Sequence, residues 1–180
     1  HFTHPAWFER LGAFAKSDNL HFFERFVEHV SPRLAPYVDG WNVINEFNLG
    51  TGPEQGPFKF NMIRAHARGY HIIKQHSKAP VSTAHAFVHW FPLRRYDDLD
   101  NRMTGYVDFI TNEFFFHAIR TGELVYPFTD AQYDPEVKGA MDFWAVNYYT
   151  RHMVDARKAG FQGTRFAHKT LKMIGKDFYL

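Results

Sequence analysis

Trp41-Asn42-Val43-Ile44-Asn45-Glu46 is the stretch on which the fold turns. An aromatic opens it, two branched apolar residues fill it and a carboxylate closes it, the pattern of a short buried strand. Pro36 and Gly40 punctuate the chain before it. Residues 49–57, Leu-Gly-Thr-Gly-Pro-Glu-Gln-Gly-Pro, are loop chemistry after it. Upstream, Leu20, Phe23, Val27, Val30 and Leu34 recur at steps of three and four, predicting an amphipathic helix near 18–36 with Ser17 as its N-cap. A short helical turn is expected between Pro5 and Leu11. Downstream the pattern predicts a helix near 58–77, a strand at 81–87, a helix near 99–119 and a strand at 142–148. Asp97, Asp98 and Asp100 open the 99–119 helix, where negative charge favours the N-terminus; Met103, Tyr106, Ile110, Phe114 and Ile119 form its apolar face. Strands alternating with helices in this way specify an α/β fold with a parallel sheet. The rhythm alone leaves both an open sheet and a barrel available.

Composition narrows the class further. The chain has 180 residues, of which 45% are hydrophobic and 18% aromatic, enough for one domain with a sizeable core. Aromatic faces line sugar clefts, but they also fill cores, so the surplus alone decides neither. Lys and Arg number 21 against 19 Asp and Glu, and so near a balance gives no reason to expect a nucleic-acid partner. The absence of cysteine excludes disulfides and thiolate metal sites and fits a reducing, cytoplasmic setting. No apolar run approaches the ~20 residues that span a bilayer, so no membrane partner is expected. The chain opens on His1 rather than Met, which reads as a truncated or processed chain.

The strongest local chemistry is Asn45-Glu46 at the end of the first strand. A carboxylate there sits at the rim of the sheet, where α/β folds place their sites, and partial desolvation would suit it to proton donation. Asn45 offers a donor and an acceptor to hydroxyls; a helix cap or a surface loop pair is the bland alternative. The 12 histidines include His1 and His4, His85 and His89, and His66, His71 and His76, at spacings that could suit a metal. None of these sets has a convincing carboxylate partner, so no metal and no cofactor is expected. Asp97, Asp98, Asp100 and Asn101 lack the glycine and terminal glutamate of a calcium loop and read better as a helix cap. Tyr148 and Tyr149 close the last strand, where a tyrosine hydroxyl can hold a catalytic carboxylate or an aromatic ring can plug the sheet rim.

Taken in order, these pieces resemble glycoside hydrolase family 1. His1-Phe2-Thr3-His4-Pro5-Ala6-Trp7 is similar to the family's strand-three motif, and Trp41-Asn42-Val43-Ile44-Asn45-Glu46 to its strand-four Trp-x-Thr-Phe-Asn-Glu-Pro motif. Asn61-Met62-Ile63-Arg64-Ala65-His66-Ala67 resembles the family's Asn-Leu-Leu-x-Ala-His-Ala helix. Asn112, Phe115, Ala118, Gly122 and Glu123 echo the stretch before strand six. Asp142-Phe143-Trp144-Ala145-Val146-Asn147-Tyr148-Tyr149-Thr150-Arg151 resembles the strand-six motif Asp-Phe-x-Gly-x-Asn-Tyr-Tyr-Thr-Arg. Departures are Val43 and Phe47 where the family has Thr and Pro, Phe2 for the commoner Trp, His4 for an apolar residue, and no asparagine at the end of strand five.

The resemblance implies a partial (β/α)8 TIM barrel with about three complete parallel strands, residues 1–180 forming a single incomplete domain. It implies a retaining β-glycosidase acting on a β-glycoside or oligosaccharide. Glu46 would be the general acid and then the general base. Asn45 would bind the sugar 2-hydroxyl and His1 the 3-hydroxyl. Tyr149 would hydrogen-bond the nucleophile, with Asn147 nearby. The family's Glu-Asn-Gly nucleophile motif is absent and is expected beyond Leu180. The competing reading is a non-catalytic sugar- or protein-binding relative of the same barrel, which a Gln at the nucleophile position would favour. A third reading is another barrel glycosidase clan member, since Asn-Glu at strand four is shared more widely, but Asn147-Tyr148-Tyr149-Thr150 argues against it. An isolated arc of a barrel exposes sheet edges, so the free chain is expected to be marginally stable or to associate.

Overall fold

The computed structural model describes residues 4–49, 53–157 and 165–166, the last two together with 53, 149 and 150 by their backbone only. A short helix α1 (Ala6–Arg10) leads to α2 (Leu20–Leu34), β1 (Trp41–Asn45) and α3 (Gly56–His76). Strand β2 (Val81–Pro92) follows, then α4 (Asp98–Asp108), a π-helical turn (Phe109–Glu113) and α5 (Phe114–Thr121). A hairpin of β3 (Glu123–Tyr126) and β4 (Thr129–Tyr133) precedes β5 (Ala145–Asp155) and the short β6 (Arg165–Phe166). The main sheet has the order β1-β2-β5-β6. Both the β1–β2 and β2–β5 pairs are parallel, and β6 is antiparallel to β5. Among the described residues the sheet does not close, so the architecture is an arc of a barrel with helices on its outer side.

Burial explains the helices. On α2 the inward line is Leu20, Phe23, Val27 and Ser31. Leu34, expected on that face, is 43% exposed, because Ser31 continues the line and folds its hydroxyl back onto the Val27 carbonyl. Ser17 does not cap α2. It opens a 3₁₀ turn, and Asn19 stands at the N-cap and donates its side-chain amide to the Leu11 and Ala13 carbonyls. Helix α3 is buried almost all round, between α2 and the sheet. A Cβ on its Gly69 would stand 2.8 Å from Val43 of β1, so helix and strand approach at a distance only glycine permits. Gly69→Ala is expected to destabilise the chain by about 1–3 kcal/mol, read as a lower urea midpoint; an unchanged midpoint would mean that Val43 moves aside.

Asp97 caps α4, accepting from Leu99 N and Asp100 N at 3.1 Å each, as its position in the sequence implies. The helix expected near 99–119 is interrupted by the π turn and ends at Gly122, whose φ of +83° forms the left-handed C-cap. The hairpin was not expected; Glu123 opens β3, and Leu124 and Tyr126 are buried in it.

The last strand begins later than its pattern suggested. The Asp142 carboxylate accepts from Val81 N (2.9 Å), Lys74 Nζ (2.8 Å) and Tyr70 Oη (3.0 Å), which pins residues 142–144 at the start of β2. Pairing then runs from Ala84↔Ala145 to Pro92↔Val154 and carries both strands beyond their expected ends. Phe8, Phe14, Phe23, Phe60, Phe114 and Phe115 are all buried in the core, so these aromatics serve packing.

Candidate active site

Glu46 leaves β1 with a φ of +52°, a left-handed conformation uncommon for a residue with a side chain. Neighbouring bonds hold it there. Its N–H donates to the Ala84 carbonyl at 2.8 Å, continuing the ladder with β2 for one step past the strand. Phe47 then turns into the core, edge-on to Phe114 and Phe115. Asn48, fully buried, substitutes for the next strand residue: its Oδ1 accepts from Ala86 N at 3.0 Å and its Nδ2 donates to Ala86 O at 2.8 Å. The same Nδ2 donates to the Thr111 carbonyl in the π turn at 2.8 Å.

The side chain of Glu46 is half-buried and meets a partner from two strands away. Asn147 on β5 donates Nδ2 to Glu46 Oε1 at 2.8 Å and to Asn45 Oδ1 at 3.2 Å. Adjacent strands lie ≈ 4.8 Å apart, so this contact spans the width of β2. It is possible because the intervening residues of β2 are Ala84 and Ala86, each paired to a neighbour in the register: Asn45↔Ala84 and Ala86↔Asn147. Asn45, Glu46 and Asn147 thus converge near the C-terminal end of β1 in a parallel sheet, the position where such sheets carry their sites. His1 lies outside the described residues, as does the side chain of Tyr149.

Three of the histidines at candidate metal spacings have separate surroundings. His66 is fully buried; its ring nitrogens meet the Ala140 carbonyl and the Thr83 hydroxyl, both at 2.6 Å, and burial lowers its pKa to about 4. His71 meets the Glu136 carbonyl at 2.7 Å. His85 is buried against Phe115 and Phe116, which likewise lowers its pKa to about 4. Among the described residues no group of three or more His, Asp or Glu is gathered as a metal would require.

Two residues that support the site were missed by the sequence reading. One is Asn48, two positions past Glu46 and just before the stretch 49–57 read as loop. The other is Lys59, whose side chain is wholly buried within α3. Its signal was a lysine between two phenylalanines, Phe58-Lys59-Phe60, near the start of the helix expected at 58–77. The π turn is tied to the bulge of β2 as well: Asn112 Nδ2 donates to Val88 O at 2.8 Å, and Trp90 Nε1 to Thr111 Oγ1 at 2.7 Å.

No protein-family model matches the chain. By sequence it is 28% identical over 189 aligned residues to a β-galactosidase of Sulfolobus acidocaldarius, covering 89% of this chain and 38% of that protein. It is 30% identical over 156 residues to a β-galactosidase of Saccharolobus solfataricus, covering 77% and 31% respectively. By fold it is similar to the family 1 β-glucosidase from Thermotoga maritima, with a TM-score of 0.79 at 16% identity over 93% of this chain and 43% of that one. The β-glycosidase from Thermosphaera aggregans aligns with a TM-score of 0.64 at 20% identity, over 86% of this chain and 34% of that one. The chain therefore spans less than half the length of the relatives it matches.

Proposed function

We propose that this chain, which belongs to glycoside hydrolase family 1, supplies the acid/base side of a retaining β-glycosidase site, with Glu46 as the proton donor. The observation that supports this most directly is the convergence of Asn45, Glu46 and Asn147 at the rim of a parallel sheet. In glycosylation Glu46 would protonate the leaving glycosidic oxygen. In the second half it would take a proton from the water that attacks the glycosyl intermediate. The Asn147 hydrogen bond fixes one carboxylate oxygen, and hence the direction in which the proton is delivered. Asn45, locked by the same amide, would present its side chain to a sugar hydroxyl. The proteins named above are two β-galactosidases, a β-glucosidase and a β-glycosidase, so the proposed substrate is a β-glycoside.

Retention needs two carboxyl groups ≈ 5–5.5 Å apart, and Glu46 is one. Glu9, Glu24 and Glu28 lie on α1 and α2, Glu54 in the turn before α3, Glu113 in the π turn, Glu123 on β3 and Glu136 in a turn. None ends a strand of the parallel sheet. Asp155 does end β5, but Arg94 holds it at 2.7 Å. The attacking carboxylate is therefore proposed to lie outside this chain.

The 180-residue chain alone is expected not to hydrolyse an activated aryl β-glycoside above the level of its Glu46→Gln variant. Turnover well above that control would reveal a second catalytic group in the chain and defeat the half-site reading. The acid/base role itself is tested by Glu46→Ala in the completed barrel, as argued in the Discussion.

A further inference from the structure

We propose that Lys59 is a positioning residue for Glu46, acting through a buried clamp that ties the turn after β1 to the π turn between α4 and α5. The inference deepens the acid/base reading of Glu46 and rests on it. Lys59 Nζ donates to the Asn48 carbonyl at 2.7 Å and to the Ile110 carbonyl at 3.1 Å. It also stands 4.8 Å from the ring centroid of Phe114 and 5.5 Å from that of Tyr126. An ammonium removed from water is unfavourable unless its protons are taken, and two carbonyls and two aromatic faces take them here.

The geometry shows what this buried charge holds. A π turn displaces the helical ladder by a residue, and two of its carbonyls receive donors from the first strand's side of the molecule: Ile110 from Lys59 and Thr111 from Asn48. Asn48 is thereby gripped at its backbone carbonyl by Lys59 and at its side chain by Ala86 and Thr111. Glu46 stands between two fixed points, its own N–H on Ala84 and the immobile Asn48 two residues on. A residue at φ +52° persists only where its surroundings over-determine it. Weakening the Lys59 grip on Asn48 releases the downstream point. The carboxylate of Glu46 then loses its alignment on Asn147.

The clamp also answers to protonation. Burial lowers the Lys59 pKa to about 7. The groups facing this cluster are His85 from β2, Tyr126 from β3, Tyr106 from α4 and Glu54 from the turn before α3. His85 is held near 4, and burial pushes both tyrosines above their ordinary 10. Among Lys59, His85, Tyr106 and Tyr126, Lys59 alone changes charge between about pH 6 and pH 8. Loss of its proton replaces a charge-assisted bond to Asn48 with a weaker neutral one.

The experiment is an NMR titration of the whole 180-residue chain, following the Lys59 Nζ signal and the asparagine side-chain amides. The Asn147 amide is expected to shift in one step with the midpoint of Lys59, near 7. In Lys59→Met that step is expected to vanish, while the amide of Asn61, bonded to the Phe14 carbonyl at 2.8 Å, stays in place. A step that persists in Lys59→Met would come from a group other than Lys59 and would overturn the proposal, as would no step in either protein. Should Lys59→Met fail to fold, the unsubstituted chain decides: coincident midpoints for Lys59 and Asn147 support the clamp, and separate midpoints overturn it. Normal turnover by Glu46→Ala in the completed barrel would instead defeat the acid/base reading and leave this coupling untouched.

Discussion

Glu46→Ala in the completed barrel is expected to slow hydrolysis of β-glycosides with poor leaving groups by about 10²–10⁴-fold, the usual contribution of a positioned general acid. An alkoxide leaving group needs a proton as the bond breaks, and Glu46 is the carboxyl that the sheet places at the rim with its orientation fixed by Asn147. Aryl glycosides whose leaving groups are already stable anions need the proton less, so their glycosylation is expected to slow far less. Their turnover should then be limited by the second step, where Glu46 would activate water. Azide, which needs no base, is expected to restore that step and yield a β-glycosyl azide. The leaving-group dependence separates the role from a folding defect, because misfolding lowers all substrates alike. Hydrolysis of an unactivated β-glycoside at the unsubstituted rate would remove Glu46 from the role. Sugar binding without turnover in the unsubstituted barrel would favour the binding relative.

The parts of this site that were legible in the sequence are those set by local pattern. The run from Trp41 to Asn45 is a strand because its branched residues follow no helical spacing, and Glu46 stands half-buried at its end, just before the loop chemistry starts. Asp97 caps a helix by a rule that holds within four residues. What escaped notice depends on partners distant in the chain. The extension of β2 to Pro92 and of β5 to Asp155 is a matter of each strand pairing with the other, and neither segment declares it alone. The hairpin turns on Pro127-Phe128, with Phe128 at a φ of +60°; a bulky residue there carries none of the Asn-Gly signal by which short hairpins are read. Lys59 was easy to pass over for a related reason. A lysine on a helix is ordinarily solvated, and only the meeting of α3 with the π turn and the Asn48 turn makes this one a core residue. The ordered motifs told the family; the side-chain bonding that steadies Glu46 had to be seen.

Stability is expected to fall steeply as the pH drops from 6.5 towards 4. His66 and His85 are both fully buried, and burial, the dominant cause, holds each at about 4 against an ordinary 6.5. Both are bases with lowered folded-state pKa values, so the folded chain keeps them neutral while the unfolded chain takes up protons. Their contribution is complete above 6.5 and is lost progressively as the pH falls through 4. Each is worth at most about 3 kcal/mol, and the two together approach the lower end of the 5–15 kcal/mol that holds a typical domain folded. Lys59 acts in the same direction on the alkaline side. Its folded-state pKa is about 7 against 10.5, so the unfolded chain binds the extra proton between those values and stability rises with pH across that window. Melting temperature measured from pH 4 to pH 10 is therefore expected to climb, level off near neutrality and climb again. His85→Phe, which keeps an aromatic ring against Phe115 and Phe116, should flatten part of the acid limb. Lys59→Met should flatten the alkaline limb and, by removing a charge that helps hold His85 down, flatten the acid limb slightly. A chain that melts higher at pH 5 than at pH 7 would mean that these histidines are not buried as neutral bases, and the packing of α3 and α5 on β2 described above would have to be wrong.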